Sequence, residues 1–357
     1  MKILLLKFRN IGDVLLSTPL VNNLRHHYPN AQIDFCVNKE TEAMLTLNPN
    51  LNKIITYDRI AIKSLTSIKR LWRELQFIRS FKKENYDVVI NLTSGDRGNL
   101  IAWISNATTR IGYSNKSWFF RKSLTHELPK QELRHTVDAS LDPLRLLNIP
   151  ISNKSVEIFW NSKDEQAISS ELTNINNFIH LHPVSRWLFK CISDNIMAQI
   201  IDYCQLNIGL KVVITASEDK FELEKVNKIL SLTKSKPINL SGKLSLKETA
   251  ALNKKAKLFI GVDTSIMHIS ASNNVPVLAF FGPSGACHWG PWDNSIATSG
   301  YSMIKGFQVM GMHRVFSESR PCQPCGKDGC NGTKISDCLM NLDFEKIKSN
   351  IVEMLDD

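Results

Sequence analysis

With 357 residues, 43% of them hydrophobic and 22% charged, the chain reads as a soluble globular protein with room for about two domains, each with its own core. The opening MKILLLKFRN is too short and too charged for a secretion signal, and no apolar run reaches the ~18 residues of a membrane-crossing helix, so a cytoplasmic protein is expected. A formal net charge of +10 points to an anionic partner: nucleic acid, an acidic membrane surface or a phosphorylated substrate.

The first apolar run, Ile3–Phe8, reads as a buried strand, and Val14–His27 follows with helical periodicity. Between them lie Gly12, which permits a close turn, and Asp13 at the helix start. Asp13 there is either a structural cap or a general base that takes a proton from an acceptor hydroxyl. No GxGxxG follows this strand and no GxxxxGK[ST] occurs anywhere, which argues against nicotinamide and P-loop enzymes.

Further strands are predicted at Gln32–Val37, Lys53–Tyr57, Asp87–Asn91 and Arg110–Gly112, with helices over Glu40–Asn48, Ser64–Lys83, Gly98–Ile104 and His135–Leu147. In Lys63–Lys83, Leu65, Ile68, Leu71, Trp72, Leu75 and Ile78 recur at helical spacing among Lys69, Arg70, Arg73, Arg79, Lys82 and Lys83. This is the pattern of a basic amphipathic helix lying on anionic lipid headgroups, or of an ordinary surface helix with a solvated face. Nucleic acid is not an expected partner, because no zinc finger, helix-turn-helix or RNA-recognition signature is present. The regular alternation lapses in Asn148–Asn177, where a domain boundary is expected.

The second half repeats the grammar, with strands at Phe178–His182, Lys211–Thr215, Pro237–Leu240, Leu258–Val262 and Val277–Phe281. Helices are predicted over Asp194–Asn207, Lys220–Leu232, Ser245–Asn253, Met267–Ser272 and Asp343–Leu355. Strands alternating with helices make parallel sheets with right-handed crossovers, and such sheets bind ligands beyond the carboxyl ends of their strands. The strand ending at His182 runs into Ser185, Arg186 and Lys190, a hydroxyl and two cations able to neutralise a diphosphate leaving group. Glu218, after the next strand, is placed to accept from ribose hydroxyls, although an acid at a helix N-terminus has the same pattern. Leu244 offers apolar surface for an adenine. In GVDTSIMHISASNNVPVLAFFGP, Asp263, Thr264 and Ser265 sit at the start of a helix whose dipole and free N–H groups suit a diphosphate, and His268 lies near the same mouth.

Four of the eight cysteines cluster at the C-terminal end: Cys322, Cys325, Cys330 and Cys338. In a cytoplasmic protein this cluster reads as a zinc candidate or as free or redox-labile thiols; its spacing is not that of a paired CxxC knuckle.

Together, GDVLLSTP at Gly12–Pro19, the HPVSRWLFK loop, TASED and the DTSIMH-to-FGP block resemble glycosyltransferase family 9, the lipopolysaccharide heptosyltransferases, over nearly the whole chain. The tail CQPCGKDGC…SDCL resembles the heptosyltransferase III branch, and a related tail occurs in heptosyltransferase II-like proteins. The resemblance implies a GT-B fold of the α/β class: two Rossmann-like, doubly wound parallel-sheet domains facing across a cleft. Residues 1–160 would bind the acceptor, 161–340 the nucleotide sugar, and 341–357 would form a C-terminal helix. It further implies ADP-heptose as donor, with no cofactor required, and a lipid A–Kdo–heptose acceptor at the cytoplasmic face of the inner membrane, which the basic helix would touch peripherally. Carried over by position, Asp13 is the base, with Gly12 and Arg97 on the acceptor side. Ser185, Lys190, Thr264 and Ser265 meet the diphosphate, Glu218 the ribose and Leu244 the adenine, while Asp263 and His268 complete the donor site. The chain departs from the family pattern in two places. Trp187, Leu188 and Phe189 separate Arg186 from Lys190, which leaves the loop register open by one residue, and Ser265 replaces the glycine often found after Asp-Thr. A nucleotide-sugar epimerase and a non-catalytic nucleotide-sugar or lipid binder are the alternatives from other classes.

Overall fold

A computed structural model describes residues 1–114, 123–130, 132–172, 175 and 177–356. The chain forms two compact units, one of Met1–Glu132 with Thr136–Phe159 and one of Leu133–His135 with Trp160–Asp357.

The first unit is built on a parallel sheet of β1 (Lys2–Lys7), β2 (Gln32–Asn38), β3 (Lys53–Tyr57), β4 (Val88–Asn91), β5 (Thr109–Tyr113) and β6 (His126–Leu128), in the order β3-β2-β1-β4-β5-β6. β1 reads as an unbroken apolar run because both of its faces are covered: Ile3, Leu4, Leu5 and Leu6 are fully buried. The order reverses direction between β1 and β4, so the loops after these two strands open away from each other and leave a crevice at their carboxyl ends.

The second unit carries β7 (Phe178–His182), β8 (Lys211–Ile214), β9 (Ile238–Asn239), β10 (Leu258–Val262), β11 (Val277–Phe280), β12 (Gln308–Met310) and β13 (His313–Phe316). The order is β12-β13-β11-β10-β7-β8-β9, parallel except for the β12–β13 hairpin. Here the reversal falls between β7 and β10. The C-terminal helix Phe344–Asp356 packs Ile347, Ile351 and Met354 into the core beneath this sheet, together with Cys338 and Leu339. Both units therefore have the doubly wound α/β architecture expected.

The largest departures from expectation are in helix continuity. Val14–His27 is two helices, Ile11–Leu15 and Thr18–His27. Pro19 has no N–H to donate and fits only the first turn of a helix, while Ser17 and Thr18 turn their hydroxyls onto the carbonyls of Val14 and Leu15. His135–Leu147 likewise splits into Thr136–Ser140 and Asp142–Leu146, with Pro143 in the first turn of the second. Asp194–Asn207 passes from α-helix to a π-helical turn at Tyr203–Asn207. The basic stretch forms a helix over Ser67–Ser80, preceded by a short helix Arg59–Lys63 and followed by a 3-10 turn at Phe81–Lys83. β6, the β12–β13 hairpin and the helix Ser162–Glu171 are additional elements, each short or polar enough to lack a clear period. Among the described residues no helix is long and apolar enough to cross a membrane.

β10 lies in register with β7 through Gly261 and His182. A Cβ at Gly261 would stand 2.7 Å from the Phe259 ring and 2.8 Å from the His182 carbonyl oxygen. Replacing Gly261 by alanine should therefore lower stability by about 1–3 kcal/mol through overpacking. Urea unfolding reads this directly, and an unchanged midpoint would show that the two strands separate without strain.

Candidate functional site

The carboxyl ends of β7 and β10 bring together most of the residues expected to form a site. Asp263, just past β10, is buried. Lys190, on the 3-10 turn that closes the loop after β7, donates from Nζ to Asp263 Oδ2 at 2.6 Å. Ser284, past β11, donates its hydroxyl to the same oxygen. Burial pushes the Asp263 carboxyl up, but the Lys190 charge and hydrogen bond and the Ser284 hydroxyl outweigh it and hold the group below its ordinary range. Asp263 is thus a carboxylate that locks three loops to one point.

Thr264 is the N-cap of the helix Ser265–Ser272, with an extended backbone and no capping hydrogen bond from its side chain. Its Oγ1 is buried and has no protein partner, and His268 Nδ1 is in the same condition one turn along. The helix therefore offers uncapped first-turn N–H groups, an unengaged hydroxyl and an unengaged ring nitrogen, the equipment of an anion site. Ser265 is the first helical residue and does not have a positive φ, so a serine is accommodated where the family often has glycine. Burial pushes the His268 imidazole down to about 4, Asp263 opposing and His135 and Lys190 adding to the effect, so this ring is neutral near pH 7.

The neighbouring strand ends extend the rim. Ser185 is buried and its Oγ accepts from the Trp187 N–H at 3.2 Å. The loop after β8 separates its two acids. Asp219 caps the helix Lys220–Leu232, accepting from the N–H groups of Phe221 and Glu222, whereas Glu218 is exposed and has no hydrogen-bond partner among the described residues. Leu244 packs partly against the core beside β9, and Ser241 nearby keeps a buried, unpartnered Oγ. Below the rim, His180 Nε2 and His182 Nδ1 both meet Thr215 Oγ1, at 2.8 and 2.9 Å. Burial holds both imidazoles below their ordinary range, so this support is uncharged.

In the first unit, Gly12 and Asp13 lie on the helix Ile11–Leu15 directly after β1. Asn10, not Asp13, is the N-cap; the Asn10 N–H donates to Asp13 Oδ2 at 3.3 Å. Lys7, at the end of β1, is buried, and its ammonium is pushed down by burial with the Asp13 charge working against that shift. Arg97, on the helix Asp96–Ile104 after β4, donates to Glu74 Oε1 and to the Tyr57 hydroxyl, both at 2.9 Å, and its guanidinium lies 4.1 Å from the Tyr57 ring centre. Tyr57 in turn donates to Glu74.

Among the described residues no three His, Cys, Asp or Glu side chains converge as metal ligands, and Cys322, Cys325, Cys330 and Cys338 form no disulfide. Cys322 is exposed and Cys338 is buried, where burial pushes its thiol up to about 11. The segment instead clasps the site loops. Ser336 Oγ donates to the Phe189 carbonyl at 2.6 Å, Gln323 Nε2 to the Gly282 carbonyl at 3.1 Å, and the Gly326 N–H to the Pro283 carbonyl at 2.9 Å.

Sequence reasoning passed over Ser284, Lys7, Tyr57 and Glu74. Lys7 had a usable signal, the one cation within the apolar run Ile3–Phe8. Ser284 stands directly after FGP, one residue beyond the motif that was read.

Two doubly wound units, one with a lysine, a helix N-terminus and unengaged buried polar atoms past its strand ends and the other with a carboxylate and a guanidinium there, have the architecture of a GT-B type glycosyltransferase. A model of glycosyltransferase family 9 (heptosyltransferase) matches residues 74–306, and lipopolysaccharide heptosyltransferase 3 of Escherichia coli is 30% identical over 292 residues, covering 80% of this chain and 84% of that protein. The chain belongs to glycosyltransferase family 9. The fold is shared with a family 9 glycosyl transferase from Veillonella parvula DSM 2008, with a TM-score of 0.79 and 23% identity over 99% of this chain and 97% of that one. It is also shared with Escherichia coli heptosyltransferase WaaC, solved with ADP, with a TM-score of 0.72 and 15% identity over 99% of this chain and 100% of that one.

The Asp263–Lys190 pair makes a pH-dependent prediction. A carboxyl held below its unfolded value of ~3.9 contributes stability above that pH, lost as pH falls through the folded value. Replacing Lys190 by methionine leaves the carboxylate buried and unpaired, which should cost about 3–5 kcal/mol near neutral pH. The deficit should shrink on acidification, beginning above ~pH 4, because without Lys190 burial raises the Asp263 carboxyl and the variant takes up a proton there while the wild-type group is still ionised. Chemical denaturation of both proteins across this range measures it, and a pH-independent deficit would show that Lys190 stabilises by packing alone.

Proposed function

We propose that the protein is an inverting heptosyltransferase that moves L-glycero-D-manno-heptose from ADP-heptose to the inner core of lipopolysaccharide, in the manner of heptosyltransferase 3. The observation that carries this reading is the rim formed by Lys190, Asp263, Thr264 and His268 at the strand reversal of the second unit. It combines a cation, helix N–H groups and unengaged buried polar atoms where a diphosphate needs them. Identity with heptosyltransferase 3 of Escherichia coli across most of both chains supports the choice of heptose and core. The related WaaC structures, with ADP and with ADP-2-deoxy-2-fluoro heptose, support an ADP-linked donor.

In this proposal the second unit holds the donor: Lys190, Ser185, Thr264 and Ser265 on the diphosphate, Glu218 on the ribose, Leu244 against the adenine, and Asp263 and His268 completing the rim. The first unit holds the acceptor, with Gly12 and Arg97 beside it. Asp13 accepts the proton of an acceptor hydroxyl as its oxygen bonds to the anomeric carbon. The bond from that carbon to the phosphate oxygen breaks on the opposite face, and ADP leaves with inversion. The transition state has oxocarbenium character, and charge gathers on the leaving phosphate. The Lys190 ammonium and the helix N-terminus at Thr264 stabilise that charge, each such contact being worth about 3 kcal/mol, roughly a hundredfold in rate. The neutral His268 ring can donate or accept a hydrogen bond without adding charge. The acceptor is a lipid A–Kdo–heptose core, and the protein works at the cytoplasmic face of the inner membrane.

The test is direct. The wild-type protein, ADP-heptose and a heptosylated core acceptor should give a product heavier by one heptose, read by mass spectrometry, and free heptose without a heavier acceptor would refute the transferase reading. Asp13→Asn should lower turnover by about 10²–10⁴-fold while ADP affinity stays at the wild-type value; near-normal turnover would remove Asp13 as the base. Glu218→Gln should weaken ADP binding by calorimetry, and an unchanged dissociation constant would take Glu218 out of the ribose site.

A further inference from the structure

The helix Ser67–Ser80 has an apolar face that the first unit leaves uncovered. Ile68, Leu71, Trp72 and Leu75 recur at helical spacing along one side and are 83%, 62%, 67% and 37% exposed. Ile60, on the preceding short helix, adds to the exposed apolar surface. The helix is anchored by Glu74 midway along it and by Ile78, which together with Phe81 just beyond the helix enters the core with Leu4, Leu6 and Val89. Between Lys63 and Lys83 the chain has seven lysines and arginines and a single acid, Glu74. Glu74 is turned to Arg97 and Tyr57, while Lys63, Lys69, Arg70, Arg73, Lys82 and Lys83 are exposed and, among the described residues, without an ion-pair partner.

We propose that this helix lies on an anionic lipid bilayer, its apolar stripe in the headgroup–acyl boundary and its cations on lipid phosphates. Charge decides between occupants. A second copy of the chain would set one cationic stripe against another, and a nucleic acid would take the cations but leave Ile68, Leu71 and Trp72 in water. An anionic lipid surface satisfies both faces at once. The Glu74–Arg97–Tyr57 bonds tie the helix to the strand ends of the first unit, so a bilayer held by the helix is held at a fixed distance from Arg97. That last consequence rests on the transferase reading with a lipid-linked acceptor; the lipid-binding surface itself does not.

The experiment is vesicle sedimentation with the full chain and neither donor nor acceptor. Vesicles of phosphatidylcholine mixed with phosphatidylglycerol should carry the protein down, phosphatidylcholine alone should not, and added salt should release it. Combining Ile68→Ser, Leu71→Ser and Trp72→Ser should weaken partitioning by about tenfold or more, with the melting temperature and ADP affinity unchanged. Combining Lys69→Gln, Arg70→Gln and Arg73→Gln should abolish the preference for anionic vesicles. Equal binding to both vesicle types, wild-type binding by the serine variant, or a dimer that the serines dissociate would overturn the proposal. Because the assay needs no turnover, its failure leaves transfer to a water-soluble core acceptor intact, and failure of that transfer leaves the vesicle result standing.

Discussion

The hydrogen-bonded pair between Lys190 and Asp263 organises the second unit's functional edge. A carboxylate taken out of water costs several kcal/mol unless a cation and further donors meet it. Here the cation comes from the loop after β7 and the second donor, Ser284, from the loop after β11, while the carboxylate itself follows β10. Three loops that are distant in sequence are therefore held to one oxygen. The cysteine-bearing segment adds a second tie from outside, because Ser336 and Gln323 bond the backbone of two of these loops. Its hydrogen bonds pin carbonyls of these loops, and Cys338 adds its side chain to the core.

This arrangement keeps the Lys190 ammonium in place at the carboxyl ends of the strands. Lys190 is fixed by a partner that is itself fixed, so little side-chain freedom remains to be lost on binding. Thr264 leaves its hydroxyl and the first helical N–H groups unengaged, and His268 and His182 are neutral because burial disfavours their charged forms. The Lys190 ammonium is balanced by Asp263, so the rim's surplus positive potential comes from the helix end. The first unit uses the same topology with different chemistry: past the ends of β1 and β4 it carries Asp13, a buried Lys7 and Arg97, the last held by Glu74 and Tyr57.

Much of this was legible in advance. Short apolar runs such as Ile3–Leu6 and Leu258–Val262, bounded by turn residues, fit strands covered on both faces, and their alternation with helical periods implies parallel sheets. Polar residues just past such strands, Asp13, Ser185 and Asp263 among them, fall where parallel sheets bind ligands. Helix ends were less readable, since the periodicity of Val14–His27 runs straight through the break that Pro19 and the Ser17 hydroxyl create. The split of the two acids after β8 was also hidden: Glu218 and Asp219 are adjacent, and only the capping geometry shows that Asp219 is engaged.

By itself the sequence determined what depends on local periodicity and on residue type at strand ends: the α/β class, the two repeats of the pattern, the family and most of the polar residues that lie past the strand ends. Tertiary structure alone decided which of those residues share a hydrogen bond, and so why Asp263 stays ionised, why Glu218 is the unengaged acid and why the stripe from Ile68 to Leu75 meets water rather than a core. The reason is that period and composition are properties of neighbours in the chain, whereas ionisation, hydrogen-bond satisfaction and exposure are set by groups that meet only after the sheets have formed.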